Sequence, residues 1–309
     1  MAKVAVTGGA GFIGSNLVRI LNEQNHEITV IDDLSTGLRS NLDGQNVTFH
    51  QISITDRDLL KSALKDVEVV IHLAARGSVP RSVKDPIATH WVNTVGTLNI
   101  LEICREQNAH LIFSSSSSVY GANLSLPKNE KMWMQPLSPY AASKLSAEAF
   151  VSAYSSTYDL KTTSLRFFNV FGPRQRPDHE YAAVLPKWIW KILHKEPIEL
   201  HGDGTQTRDF TYIDTVCDVI KYAISEKVCG PEVINLAYGN NISLNEVLEK
   251  LRERTGSIEV RNMPTRVGDV KDSQNDPTFI KSLFPNIQPV NFDFAFEKTF
   301  EWLQSQANK

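Results

Sequence analysis

The 309-residue chain predicts an α/β fold, a doubly wound parallel sheet carrying a smaller C-terminal α/β region. Three observations carry that expectation. Short apolar runs of strand length alternate with longer stretches of helical period through the first two-thirds of the chain. The run Val-Glu-Val-Val-Ile-His-Leu-Ala-Ala at 67–75 is apolar on nearly every side, as in a strand covered by helices on both faces. The opening strand at 4–6 runs into Gly8, Gly11 and Gly14 at three-residue spacing, and an amphipathic helix continues through 16–22.

Strand, glycine turn and helix in that order form a phosphate site. Glycines let the backbone approach a pyrophosphate, while the helix N-terminus offers free N–H groups and a positive dipole end. An ordinary packed βαβ unit would also use glycine here, so the second strand matters. Residues 28–33, Ile-Thr-Val-Ile-Asp-Asp, end in two carboxylates placed to hold ribose hydroxyls. Acids there repel a 2′-phosphate, which favours NAD over NADP. A dinucleotide-binding, Rossmann-like sheet is the reading that accounts for both features.

The remaining elements follow in order. Residues 47–50 read as a strand and 56–64 as a helix opened by Thr55. After the strand at 67–75, residues 86–107 carry helical periodicity with Trp91, Val95, Leu98, Leu101 and Ile103 at apolar positions. Residues 110–114 form a strand, 140–158 a long helix and 162–168 another strand. Past Gly172 prolines and arginines open an irregular segment, followed by a helix at 185–194. A helix–strand unit at 211–236 precedes a helical, loop-rich remainder. The expected division is a cofactor domain over 1–172, with 211–240 returning to it, and a mainly substrate-binding domain over 173–309.

Bulk properties exclude other classes. A net charge of −3 without a long basic run argues against nucleic acid and membrane surfaces as partners. No apolar run approaches the ~18 residues of a spanning helix. Met1 leads straight into the first strand, so a cytoplasmic protein without a targeting segment is expected. Cys104, Cys217 and Cys229 are too few and too scattered for a disulfide framework, and the eight histidines show no metal-ligand spacing.

Ser138-Pro-Tyr-Ala-Ala-Ser-Lys144 is the short stretch richest in chemistry. Tyr140 and Lys144 are four apart and share a helix face. A phenol with pKa near 10 is a poor base at neutral pH, but a neighbouring ammonium favours its ionised form. Such a pair can take a hydroxyl proton while hydride leaves the same carbon. Tyr-x-x-x-Lys alone would equally suit a packed tyrosine and a solvated lysine. The run Phe113 to Gly121, with five consecutive serines at a strand end, adds hydroxyls where the active edge is expected.

Taken together, these motifs resemble the extended short-chain dehydrogenase/reductases, and within them the NAD-dependent nucleotide-sugar epimerases. The likeness runs through Gly8-x-x-Gly11-x-x-Gly14, Ser114 to Gly121, Tyr140 with Lys144, and Arg166-Phe-Phe-Asn-Val-Phe-Gly172. It continues through Gly202-Asp-Gly204, Arg208-Asp-Phe210 and Arg266-x-Gly-Asp269. The resemblance implies Ser116, Tyr140 and Lys144 as the catalytic group. It implies cofactor contacts from Gly8, Gly11, Phe12, Ile13 and Gly14. Asp32 and Asp33, with Leu34, Ser35, Thr36 and Gly37, would lie at the adenosine ribose. Leu73, Ala74, Ala75 and Asn93, with Tyr140 and Lys144, would also line NAD. Ser53-Ile54 stands where relatives carry an Asp–Ile pair for adenine, which weakens that contact.

For the substrate, a UDP-sugar, the resemblance implies Gly77, Ser78, Ser116, Ser117, Ser118, Asn169, Ala183, Val184, Trp188, His201, Arg208, Arg266, Asp269 and Ser273. Guanidinium groups suit a diphosphate through bidentate pairing, although a single arginine often serves a surface ion pair instead. Relatives that dehydrate the sugar carry acids where this chain has Ser117 and Ser118. Epimerisation at C4 through a transient 4-keto sugar is therefore expected. Ser273 is small where glucose-restricted enzymes are bulky, which points to UDP-GlcNAc and UDP-GalNAc. A strict UDP-glucose epimerase, a UDP-uronic acid epimerase or decarboxylase and, remotely, a non-catalytic dinucleotide sensor are the alternatives. Relatives of this kind pair helices like those at 85–107 and 140–158 into a homodimer.

Overall fold

The computed structural model describes residues 2–178, 182–265 and 271–308. Its centre is a seven-stranded, wholly parallel sheet. The strands are β1 (Lys3–Thr7), β2 (Glu27–Ile31), β3 (Thr48–His50), β4 (Val69–His72), β5 (His110–Ser116), β6 (Thr162–Phe167) and β11 (Val233–Leu236). Their spatial order is β3-β2-β1-β4-β5-β6-β11. The order reverses between β1 and β4, and in sheets of this kind the ligand crevice lies beyond the strands' carboxyl ends at that point. Thr7 pairs with His72, and His72 with Phe113, so the turns after β1, β4 and β5 meet at one edge.

Helices cover both faces. On one side α2 (Arg57–Ala63), α5 (Gly96–Gln107) and α6 (Pro139–Tyr158) pack against Ala5, Val70, Leu111 and Phe113. On the other, α1 (Phe12–Glu23) and α8 (Ile213–Ser225) cover Val4, Val6, Val30 and Ile71. This second core continues into α7 (Val184–Leu193), α9 (Leu244–Thr255), α10 (Thr278–Leu283) and α11 (Phe292–Ala307). Cys104 and Cys217 are buried and Cys229 is exposed.

Three short strand pairs lie outside the main sheet. They are β7 (Val170–Phe171) with β10 (Thr211–Tyr212), β8 (Ile198–His201) with β13 (Val260–Met263), and β9 (Thr207–Arg208) with β12 (Ile242–Ser243). None is apparent in the sequence, because two to four residues carry no readable period.

Three local expectations need correction. The cap of α2 is Asp56, whose side chain accepts from Leu59 N, whereas the Thr55 hydroxyl meets Ser53 Oγ at 2.9 Å. The helix expected over 86–107 comprises α4 (Pro86–His90), a π-helical turn at Trp91–Val95 and α5, preceded by α3 (Val79–Lys84). The wide turn shifts the helical phase, so Trp91 faces solvent while Asn93 and Thr94 point inward.

Candidate active site

The glycine turn is built as a phosphate cradle. Gly8 has φ +71°, and a Cβ there would lie 2.8 Å from Ala74 N. At Gly14 a Cβ would lie 2.2 Å from Gly8 O, so only glycine lets α1 start this close to the turn. Gly11 precedes α1 without any side-chain cap, which leaves the first N–H groups of the helix facing outward.

The two acids after β2 have different positions. Asp32 is buried and accepts from Ala10 N and Leu34 N, both at 2.9 Å, so it pins the glycine turn. Burial pushes its carboxyl above the usual range, against the pull of those two N–H groups. Asp33 is exposed and accepts from Ser35 N. Leu34 turns with φ +59°, and Gly37 packs against Ala10 and Asp32. Ser53 bonds only locally, to Thr55, and the Ile54 side chain is in the core against Gly96.

Leu73, Ala74 and Ala75 form the turn after β4, held by Thr7 through its carbonyl and hydroxyl. Asn93 fixes the next residues: its Oδ1 accepts from Arg76 N at 2.7 Å and its Nδ2 donates to Ser143 Oγ at 2.9 Å. It thereby ties the β4 turn to α6. Phe12 and Ile13 begin α1, partly buried against the core.

Tyr140 and Lys144 lie on the first two turns of α6, which Ser138 caps by accepting from Ala141 N. Ser116 ends β5, and its hydroxyl accepts from Ser118 Oγ at 2.9 Å and Ser118 N at 3.2 Å. A hydrogen bond with Ser116 draws the Tyr140 phenol down, but burial outweighs it and holds the phenol above its ordinary value. Lys144 Nζ donates to Ser114 O at 2.7 Å. Burial lowers the Lys144 ammonium to about 8. Lys144 thus reaches the β5 end from the same helix that carries Tyr140.

His72 lies behind this group and was missed from sequence, although a histidine inside an apolar strand is itself a signal. It joins Thr7 at 2.7 Å to Thr97 at 3.0 Å. Burial, with a contribution from the Lys144 charge, lowers its imidazole to about 3. The ring is neutral there and makes two hydrogen bonds.

On the opposite side of the crevice, Asn169 follows β6 with φ +32°, and its Nδ2 lies 3.5 Å from Ser273 Oγ. Arg208 donates to the carbonyls of Thr207 and Lys271. His201 ends β8 against Pro264 O, and Ala183 begins α7 in extended backbone just before Val184. Trp188 is in the core, its indole N–H donating to Glu199 O at 3.1 Å. Ser78 caps α3 and Gly77 is exposed beside it. Ser117 and Ser118 form a partly buried 3-10 turn. Arg266 and Asp269 lie outside the described residues. Among the described residues no group of three acids, histidines or cysteines could hold a metal, and no helix is long and apolar enough to cross a membrane.

Residues 4–237 match the family model described as the NAD dependent epimerase/dehydratase family. The chain belongs to that family. Among members of this epimerase/dehydratase family, the UDP-glucuronate 4-epimerase of Thermodesulfobacterium geofontis is 35% identical, across 98% of this chain and 96% of its own. The UDP-glucose 4-epimerase of Mycolicibacterium smegmatis is 34% identical, over 99% of both chains. A solved structure of UDP-N-acetylglucosamine 4-epimerase from Methanobrevibacter ruminantium M1, in complex with UDP-N-acetylmuramic acid, superposes with a TM-score of 0.93 at 38% identity. That superposition covers 99% of both chains. NAD is the family's cofactor, and the residues present fit it: the cradle at Gly8 and Gly14, the uncapped start of α1 and the acids closing β2.

Proposed function

We propose that the protein is an isomerase that inverts C4 of a UDP-sugar, interconverting UDP-GlcNAc and UDP-GalNAc with tolerance for UDP-Glc and UDP-Gal. The observation that carries this reading is the grouping of Ser116, Tyr140 and Lys144 at the sheet edge with Ser117 and Ser118 beside them. NAD, when bound, supplies a hydride acceptor at C4 that later becomes the donor, and its oxidised ring adds positive charge favouring the phenolate. Tyr140 takes the proton of the 4-hydroxyl and later returns it. Ser116, able both to donate and to accept, holds the sugar oxygen through both steps. Lys144 keeps the end of β5 in register through Ser114 O. No acid stands at 117 or 118 to move protons at C5 and C6, so the sugar is released epimerised rather than dehydrated.

The acetylated preference rests on Ser273. Its small side chain beside Asn169 leaves volume for an acetamido group that a tyrosine would occupy. The diphosphate falls to Arg208 in this reading, and the exposed Ile87, Trp91 and Phe150 on α4, the π-turn and α6 would be the homodimer face.

Incubation with UDP-GlcNAc, UDP-GalNAc, UDP-Glc and UDP-glucuronate, followed by product separation, tests the proposal. Interconversion of the acetylated pair is expected. Turnover of UDP-Glc or UDP-glucuronate alone would sink the acetylated reading, and no turnover of any would sink the epimerase. Tyr140→Phe is expected to lower kcat by ~10²- to ~10⁴-fold at unchanged NAD content.

A further inference from the structure

A chain of buried polar side chains joins the two sides of the crevice, and the mechanism above does not use it. It starts beside the catalytic serine, where Ser115 Oγ donates to Glu148 at 2.6 Å. Glu148 lies one turn beyond Lys144 on α6 and is paired with Arg166 through two hydrogen bonds, at 2.6 and 3.0 Å. Arg166 then donates to Tyr120 Oη at 2.7 Å. Arginine can only donate, so the phenol proton is free to point away, to Asn235 Oδ1 at 2.8 Å with Asn129 O also in reach at 3.1 Å. Asn235 Nδ2 donates to Asn275 Oδ1 at 2.9 Å, and Asn275 Nδ2 donates to Ala237 O at 2.8 Å. The guanidinium at one end and the Ala237 carbonyl at the other give the bonds between them one sense, with the phenol proton choosing between Asn235 Oδ1 and Asn129 O.

Its far end holds the sugar side. Asn275 is two residues from Ser273, and its N–H donates to Asp209 Oδ2 at 2.9 Å. Asp209 O in turn accepts from Asn169 Nδ2 at 3.3 Å. Glu148, Arg166, Tyr120, Asn235 and Asn275 are all 3% exposed or less. A buried ion pair is weak evidence for stability, since apolar residues in its place are often neutral or better.

We infer that Tyr120 is a positioning residue that holds the Ser273 segment in fixed register against Tyr140, and through it sets preference among sugars. Tyr120 is the midpoint of this run of side chains, between Arg166 and Asn235, whose strands also pair directly in the sheet. A sugar inverted at C4 must present both faces to the same proton donor, so the wall opposite that donor has to stay at one distance. This inference rests on the proposed epimerase activity.

The test is Tyr120→Phe, which keeps the ring and removes the oxygen, with Asn275→Ala as a second cut one link further. Both are assayed as folded protein with NAD content and melting temperature measured. The expected result is unchanged NAD content, kcat/KM for UDP-GlcNAc lower by ~10- to ~100-fold, and a smaller loss for UDP-Glc. A lowered melting temperature with unchanged kinetics for both sugars in either folded variant would overturn the inference and leave a purely structural network. An equal loss for both sugars would overturn the claim on preference. Failure of the wild type to turn over any UDP-sugar would instead refute the epimerase reading itself.

Discussion

The two sides of the crevice are assembled from different kinds of contact. On the cofactor side Asp32 meets Ala10 across 22 residues and Asn93 meets Arg76 across 17, while Thr7 reaches His72 and Ala74 across 65 and 67. On the side proposed for the sugar, Asn169 meets Ser273 across 104, Thr207 meets Asp272 across 65 and Asn275 meets Asp209 across 66. Closing a longer loop costs more chain entropy, though only logarithmically, so reach alone separates the two sides little. They differ in material: glycine and backbone turns beside the parallel sheet shape the first, and buried side-chain amides, an ion pair and a carboxylate shape the second.

That contrast can be broken most severely at Arg166. Arg166→Met leaves the Glu148 carboxylate buried without its cation, and a loss of ~3–5 kcal/mol is expected in denaturant unfolding. A change below ~1 kcal/mol would show that the network carries little of the joint between the halves. Gly14→Ala attacks the other side: its methyl meets Gly8 O, with ~1–3 kcal/mol of overpacking expected and at least tenfold weaker NAD binding by titration. Unchanged NAD affinity would mean the cradle is looser than its geometry.

His72 offers a graded perturbation of the cofactor side. Its folded pKa near 3 lies below the ordinary 6.5, so the unfolded chain binds the proton first as pH falls. Its contribution is fully present above pH 6.5 and is lost progressively toward pH 3, with a slope of at most ~1.4 kcal/mol per pH unit. Urea unfolding of the wild type and His72→Gln across that window isolates the contribution; identical slopes would place the proton elsewhere. The smallest effect is expected at Ser53→Ala. It removes only a local bond to Thr55, so stability moves by less than ~0.5 kcal/mol and NAD retention hardly at all.

The same contrast explains what could be read from the sequence. Gly8, Asp32, Ser116, Tyr140 and Lys144 each lie at or next to the end of their own strand or the start of their own helix, and a local pattern suffices to find them. Ser273 lies in a segment without periodicity, and only a family resemblance singles it out. Arg166 shows as one charge in an apolar strand, which signals a buried partner without naming it. Glu148 looks like any helical glutamate, since its partner is 18 residues away on another element. The π-turn was hidden because the apolar spacing either side of it still fits a single helix, and only the displaced phase of Trp91 and Asn93 reveals it.

One topological detail bears on how the protein is made. Strand β11, at residues 233–236, pairs with β6, at 162–167, and the whole excursion through β7, β8, β9, β10, α7 and α8 lies between them in sequence. During synthesis β6 therefore emerges with one row of backbone N–H and C=O groups unpaired until some 65 residues later, the length of that excursion. An exposed apolar strand edge is a template for joining other chains. The interval between translation of β6 and of β11 is thus a stage at which a nascent chain is exposed to aggregation.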